Sequence, residues 1–107
     1  MTEIISNIGN LIDVVQRETL RTRLLFALDE IYPRWIRTDI LHDVDKEMPI
    51  NVIDRELAYL EEKNLIQRKT PRAGNVLANR ITARGRDFLD GHIQEVGLAA
   101  PNACKGK

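Results

Sequence analysis

Apolar residues recur at helical spacing along the first third of this chain. The pattern predicts a helix over residues 3–16 and a second helix over residues 17–32, the latter with apolar residues on two sides. Pro33 is expected to end the second helix, because proline disfavours the helical conformation in the residue before it. The apolar stripe of the first helix consists of Ile4, Ile8, Leu11, Ile12 and Val15.

Two further helices are predicted before the pattern changes. Thr38 is a good N-cap for a short helix over residues 39–47. Pro49 then makes the turn into a helix over residues 50–64, where Asn64 suits the left-handed position that closes a helix. The residues predicted to face inward are Leu24, Leu28, Ile31, Ile40, Leu41, Val44, Ile53, Leu57, Leu60, Ile66, Ile81, Phe88 and Leu89.

A hairpin and a last helix follow. Residues 65–70 and 76–81 read as two strands, joined by a turn that contains proline and glycine. Thr82 is expected to cap a helix over residues 83–90. Trp35, in the linker of residues 34–37, is predicted to pack on the core. The sequence thus predicts a mainly α protein with a small β-hairpin wing.

The length of 107 residues indicates one small domain. We expect an N-terminal helix over residues 1–16, a folded domain over residues 17–91 and a loosely ordered tail over residues 92–107. No apolar run approaches the roughly 18–20 residues of a membrane span, and the start of the chain has no secretion signal. Cys104 is the single cysteine, so no disulfide can form within the chain, which fits the reducing cytoplasm. Together these features predict a cytoplasmic protein without membrane contact.

Two segments resemble the winged helix-turn-helix family. Residues 53–66, IDRELAYLEEKNLI, are similar to the recognition helix and first wing strand of ArsR-like and MarR-like bacterial repressors. Residues 80–89, RITARGRDFL, resemble the junction between the wing and the last helix. The resemblance implies a winged helix-turn-helix with an extra N-terminal helix.

A closer likeness is to small winged-helix proteins of Mu-like bacteriophages and prophages. It is carried by Leu57-Ala58-Tyr59-Leu60 and by the tail sequence VGLAAP of residues 96–101. This likeness implies a winged-helix protein of a phage or prophage in the cytoplasm of a bacterial host, and it does not imply a particular role. The expected function, a DNA-binding transcription regulator, follows from the resemblance to the winged helix-turn-helix family.

The charges are unevenly distributed, although the net charge is zero. Residues 38–64 hold eight acids and three bases, whereas residues 67–86 hold six bases and no acid. The helix over residues 50–64, which should enter the major groove, is therefore acidic, and the wing is basic. The residues predicted to contact double-stranded DNA are Asn51, Arg55, Arg68, Lys69, Arg72 and Arg80.

The same charges fit other interpretations. The acidic and basic segments could simply compensate each other. The acidic helix could instead contact a protein partner, for example in phage assembly or packaging.

The N-terminal apolar stripe could cover its own core or pair with a second copy of the chain. We favour the second arrangement, a homodimer.

Catalysis is not indicated. His42 and His92 are isolated in sequence, and no phosphate-binding glycine loop, nucleophile elbow or paired-carboxylate motif is present. One cysteine and two separate histidines do not form a recognisable metal site. The sequence therefore predicts a protein that is not an enzyme and has no cofactor.

Overall fold

The first third of the chain forms one helix, whereas the sequence predicted two, over residues 3–16 and 17–32. In the computed structural model, which describes residues 2–71, 74 and 76–104 and the side chains of the first helix from Asp13 onward, α1 runs from Thr2 to Glu30. The predicted break between residues 16 and 17 is wrong. Residues 14–20 contain neither glycine nor proline, so nothing in the local sequence interrupts the helix. The chain then turns through Pro33, as predicted.

The helix predicted over residues 39–47 is shorter in the structure. α2 covers Thr38–Leu41 and passes into a 3-10 turn over His42–Val44. Arg37, not Thr38, occupies the N-cap position, and the hydroxyl of Thr38 donates instead to the carbonyl oxygen of Leu77 at 3.0 Å. Ile40 was predicted to face inward but is 51% exposed, because the short helix buries only Thr38 and Leu41.

The helix after Pro49 follows the prediction closely. α3 covers Ile50–Glu62 and buries Ile53, Leu57 and Leu60 completely. Asn64 has a φ of 64°, which confirms that it takes the left-handed conformation at the end of the helix. Leu65 and Ile66 are then buried as the chain enters the sheet.

The sheet has three antiparallel strands. β1 (Ile36–Arg37) pairs with β3 (Ala78–Ile81), which pairs with β2 (Ile66–Lys69) on its other side. The hairpin of β2 and β3 was predicted, but β1 was predicted to be a linker. Two residues are too short a run to show the alternation that marks a strand.

The last helix and the tail complete the core. α4 covers Ala83–Leu89, and the Thr82 hydroxyl accepts a hydrogen bond from the backbone N–H of Gly85, so the predicted cap is confirmed. The tail after it is packed on the domain, contrary to the prediction: Leu98 is 8% exposed, and α5 forms over Pro101–Cys104. No helix among the described residues is long and apolar enough to cross a membrane.

One apolar core lies between α1, α3, the sheet and α4. Most residues predicted to face inward are fully buried, and Ile31, Val44 and Leu89 are partly buried against them. The arrangement is mostly helical with a small antiparallel sheet, which confirms the predicted fold class in outline. The core residues are Leu20, Leu24, Leu25, Leu28, Leu41, Ile53, Leu57, Leu60, Leu65, Ile66, Ile81, Phe88 and Leu98.

Candidate nucleic-acid interface

The first two turns of α3 expose one amide and one guanidinium. Burial of Ile53, Leu57 and Leu60 turns Asn51 and Arg55 toward solvent. Asparagine and arginine are side chains that hydrogen-bond base edges, Asn with adenine and Arg with guanine. The exposed start of α3 therefore carries two side chains suited to base contact.

The guanidinium of Arg68, on the wing, belongs to a buried polar cluster. Its side chain is only 4% exposed, and its Nη2 donates to Oδ1 of Asp54 at 2.6 Å. Its Nε donates to Oδ1 of Asn79 at 2.7 Å, and Nη2 also reaches the Thr38 hydroxyl at 3.1 Å. Asn79 in turn donates to the Ile36 carbonyl oxygen at 3.0 Å. The Arg68 guanidinium is thus occupied by partners within the domain, which disfavours the predicted contact with DNA.

A second acid of α3 is neutralised inside the protein. Glu56 is 2% exposed, and its Oε1 accepts a hydrogen bond from Nε of Arg21 on α1 at 2.5 Å. The same guanidinium donates to the Gly97 carbonyl oxygen at 2.6 Å and lies 3.7 Å from the centre of the Tyr59 ring. Burial forces such a carboxylate into a pair, because an isolated charge would be costly to desolvate.

The exposed acid at the start of α2 also has a partner. Arg37 donates two hydrogen bonds to Asp39, from Nε at 3.0 Å and from Nη2 at 2.7 Å. The Arg37 guanidinium thereby lowers the pKa of the Asp39 carboxyl below its usual value. Asp39, Asp54 and Glu56 are each matched by an arginine, which leaves Arg55 as the charge without a partner among the described residues of the first half of α3.

Lys69 and Arg80 of the wing lie on the opposite side of the sheet. Strand alternation and the pairing of Arg68 with Asn79 and of Gln67 with Arg80 put Gln67, Lys69 and Arg80 on the side away from the buried cluster. There the Lys69 Nζ lies 4.2 Å, and the Arg80 Cζ 4.8 Å, from the centre of the Trp35 ring. We call this side, defined by Trp35, Gln67, Lys69 and Arg80, the outer face.

The position of Trp35 differs from the prediction that it packs on the core. The residue is half-buried and outside the apolar core cluster, and the two wing cations lie against its ring. Arg80 is also fixed by a 2.6 Å hydrogen bond from its Nη2 to Oε1 of Gln67. The indole and the amide hold both cations on one surface.

The predicted DNA contacts therefore fall into three groups. Asn51 and Arg55 share the exposed side of α3, Lys69 and Arg80 share the outer face, and Arg68 is inside. Arg72 lies outside the described residues. A cleft of about 320 Å³ separates α3 from the returning segment of the wing and is lined by Thr38, Ile50, Asn51, Asp54, Val76 and Leu77.

The predicted dimerisation stripe is described only at its end. The side chains of Ile4, Ile8, Leu11 and Ile12 lie outside the described residues. Val15 is 54% exposed and Val14 38% exposed, so apolar surface on α1 faces solvent before the helix enters the core.

Sequence reasoning missed the partition of the wing between two faces. The signal was present in the order Gln67-Arg68-Lys69, because neighbouring strand residues point to opposite sides of a sheet. The contacts of Thr38 were missed for another reason: it lies 30 residues from Arg68 and 41 residues from Asn79, which donates to the Thr38 hydroxyl at 3.1 Å. No group of three or more metal-binding side chains occurs among the described residues.

Comparison with known proteins supports the fold. No protein-family model matches the sequence, and no curated protein does. A solved structure described as a possible transcriptional regulator from Methanosarcina mazei Go1 is similar, with a TM-score of 0.54 and 22% identity over 71% of this chain and 68% of that one. The YusO protein from Bacillus subtilis gives a TM-score of 0.48 and 21% identity over 80% of this chain and 67% of that one. The first likeness supports a winged-helix fold.

Proposed function

We propose that this protein is a DNA-binding transcription regulator that places the first half of α3 in the major groove. The supporting observation is the pairing of Asp54 with Arg68 and of Glu56 with Arg21, beside an exposed Asn51 and Arg55. The acidic sequence of α3 was the main objection to a DNA role. Internal pairing removes much of that objection, because a neutralised carboxylate repels phosphate far less than a free one.

The fold favours the same interpretation. Helix-turn-helix proteins present the second helix of the motif to the major groove. The similar solved structure from Methanosarcina mazei is described as a possible transcriptional regulator, which is compatible with this function. Here α2 and its 3-10 turn precede α3 in the same order.

We propose that the regulator is a homodimer joined through the first half of α1. The support is the apolar stripe predicted over residues 3–16 and the exposure of Val14 and Val15 at its described end. A phage or prophage origin rests on the likeness of residues 57–60 and 96–101 to small Mu-like phage proteins and is part of the proposal.

The alternative, a winged helix that contacts a phage protein through acidic α3, receives less support. Of the four acids on α3, Asp54 and Glu56 are paired with arginines, and Glu61 and Glu62 remain exposed at its C-terminal end. That end lies away from the residues suited to base contact. A protein partner on α3 would therefore have a smaller acidic surface than the sequence suggests.

The test is fluorescence anisotropy of a labelled duplex selected by the protein from a random pool, compared with a scrambled duplex. We expect Arg55→Ala and Asn51→Ala to lower the preference for the selected duplex by about 1–3 kcal/mol each. Arg34→Ala removes an exposed charge outside α3 and is the matched control.

The salt dependence separates DNA binding from other functions. Affinity should fall as salt rises, because phosphate contacts release counterions. Nonspecific binding is expected at about 10⁻⁴–10⁻⁶ M at physiological salt and should be tighter at lower salt. Absence of any binding near ~50 mM salt at tens of micromolar protein would contradict the proposal and leave the protein-contact alternative.

A further inference from the structure

We infer that the outer face of the sheet binds single-stranded nucleic acid, on a surface separate from the duplex contact proposed for α3. The inference does not depend on duplex binding. It rests on the exposed Lys69 and the half-buried Arg80, on the aromatic rings beside them and on a small cleft between Tyr32 and Arg80.

The two cations of the outer face have no acidic partner among the described residues. Lys69 and Arg80 form none of the ion pairs in this part of the chain, in contrast to Arg37, Arg68, Arg84 and Arg86. Both are instead held against the Trp35 ring, at 4.2 and 4.8 Å. A cation held on an indole keeps its charge for a ligand and loses less side-chain freedom when it binds one.

A second aromatic ring lies on the same side. Tyr32 is 41% exposed, and the guanidinium carbon of Arg86 lies 4.2 Å from the centre of its ring. A cleft of about 200 Å³ lies between this ring and Arg80. The Gln67 amide and the Arg80 guanidinium supply hydrogen-bonding groups to this cleft, which is lined by Tyr32, Gln67, Arg80, Ile81, Thr82 and Ala83.

This combination fits unpaired nucleotides better than a duplex. Single strands are bound by aromatic rings that stack on bases and by cations that follow the backbone. In a duplex the flat faces of the bases are already stacked, so Tyr32 and Trp35 would have nothing to bind. Two free cations are also fewer than the roughly 6–10 phosphate contacts of a strong duplex footprint.

The test uses Trp35 as a built-in reporter, because it is the single tryptophan of the chain. A thymidine oligonucleotide is titrated into the full-length protein at low salt, and tryptophan emission is followed. We expect a saturable change in emission. Lys69→Ala with Arg80→Ala should weaken binding about tenfold or more and reduce the slope of log affinity against log salt by about 1.4, or ~0.7 for each phosphate contact.

Control experiments distinguish the outer face from positive charge elsewhere on the protein, and they distinguish loss of binding from loss of folding. Lys46→Ala removes one exposed lysine far along the chain from the outer face and should leave the titration unchanged. Tyr32→Ala, followed with a labelled oligonucleotide, should weaken binding at least about fivefold, because loss of one stacked base is costly. Circular dichroism of each variant checks that the domain is folded.

Three results would overturn the inference. One is an unchanged emission at every oligonucleotide concentration at low salt. Another is an equal change with polyglutamate, which would indicate an acidic polypeptide or a general anion effect. The third is a response to duplex and none to the single strand. The duplex anisotropy assay on Asn51 and Arg55 variants is an independent test. A negative result for single-strand binding by the outer face therefore does not contradict duplex binding by α3, and the reverse also holds.

Discussion

Arg68 of the wing and Asp54 of α3 form an ion pair with 2.6 Å between Nη2 and Oδ1, and the arginine side chain is 4% exposed while the aspartate is 55% exposed. The pair joins β2 to the start of α3. It offsets a negative charge on the helix proposed to meet DNA.

Arg68→Ala should destabilise the domain by about 1–3 kcal/mol, because it leaves buried polar groups of Asn79 and Thr38 with fewer partners. Urea denaturation measures the loss. The neighbouring Lys69→Ala, at an exposed position, should change stability by no more than about half a kcal/mol. Equal effects of the two variants would show that the buried cluster contributes little.

Asp54→Asn should raise affinity for duplex DNA. The variant removes a charge near the proposed contact and leaves Arg68 positive, so the slope of log affinity against log salt should steepen by up to about 0.9. Glu61→Gln is the control, since it removes an exposed acid nearer the other end of α3. If the two variants behave alike in anisotropy titrations, Asp54 lies no closer to the duplex than Glu61.

Leu57→Ala should cost about 2–5 kcal/mol in the free energy of unfolding, because the side chain is fully buried and its removal leaves a cavity. Ile40→Ala is the comparison: the sequence pattern predicts this residue to be inside, but it is 51% exposed, so its loss should be within about half a kcal/mol. A large effect at Ile40 together with a small one at Leu57 would contradict the packing.

Val15→Glu should weaken self-association, because it places a charge in the apolar stripe proposed to join two chains. Gln16→Glu adds the same charge at the next exposed position and should have a smaller effect. Sedimentation velocity over a range of concentrations gives the molar mass. A full-length protein that is monomeric at high micromolar concentration would rule out the dimer.

Gly97→Ala should release the tail. Gly97 has a φ of +94°, and an added Cβ would lie on the Tyr59 hydroxyl. Cys104 reports the release, because burial raises the pKa of its thiol and so reduces the reactive thiolate near pH 8. We expect faster labelling of Cys104 by a thiol reagent in this variant.

Gly91→Ala is the matched control for that experiment. Its φ of +84° imposes the same backbone cost, but no heavy atom lies within 4 Å of the added Cβ. Its labelling rate should stay close to that of the unchanged protein. Equal acceleration in both variants would mean that backbone strain, and not the contact with Tyr59, governs the tail.

The features predicted correctly depend on neighbours in sequence. The inward positions of α3, the left-handed Asn64 and the Thr82 cap each follow from residues within one or two turns. Two of the errors, the burial of Arg68 and the packing of the tail, concern contacts between distant segments. The burial of Arg68 requires Thr38, 30 residues away, and the packing of the tail requires Glu18 and Thr22, whose backbone carbonyl and hydroxyl bond to Ala99. Local patterns do not contain those partners.

The continuity of α1 has a geometric consequence for a dimer. With 29 residues the helix is about 44 Å long at ~1.5 Å per residue, and its second half is part of the core. No loop separates the half proposed to join two chains from the half that packs in the core of the domain. The helix would then act as a lever arm, and the crossing angle of two such arms would set the spacing of the half-sites along the duplex.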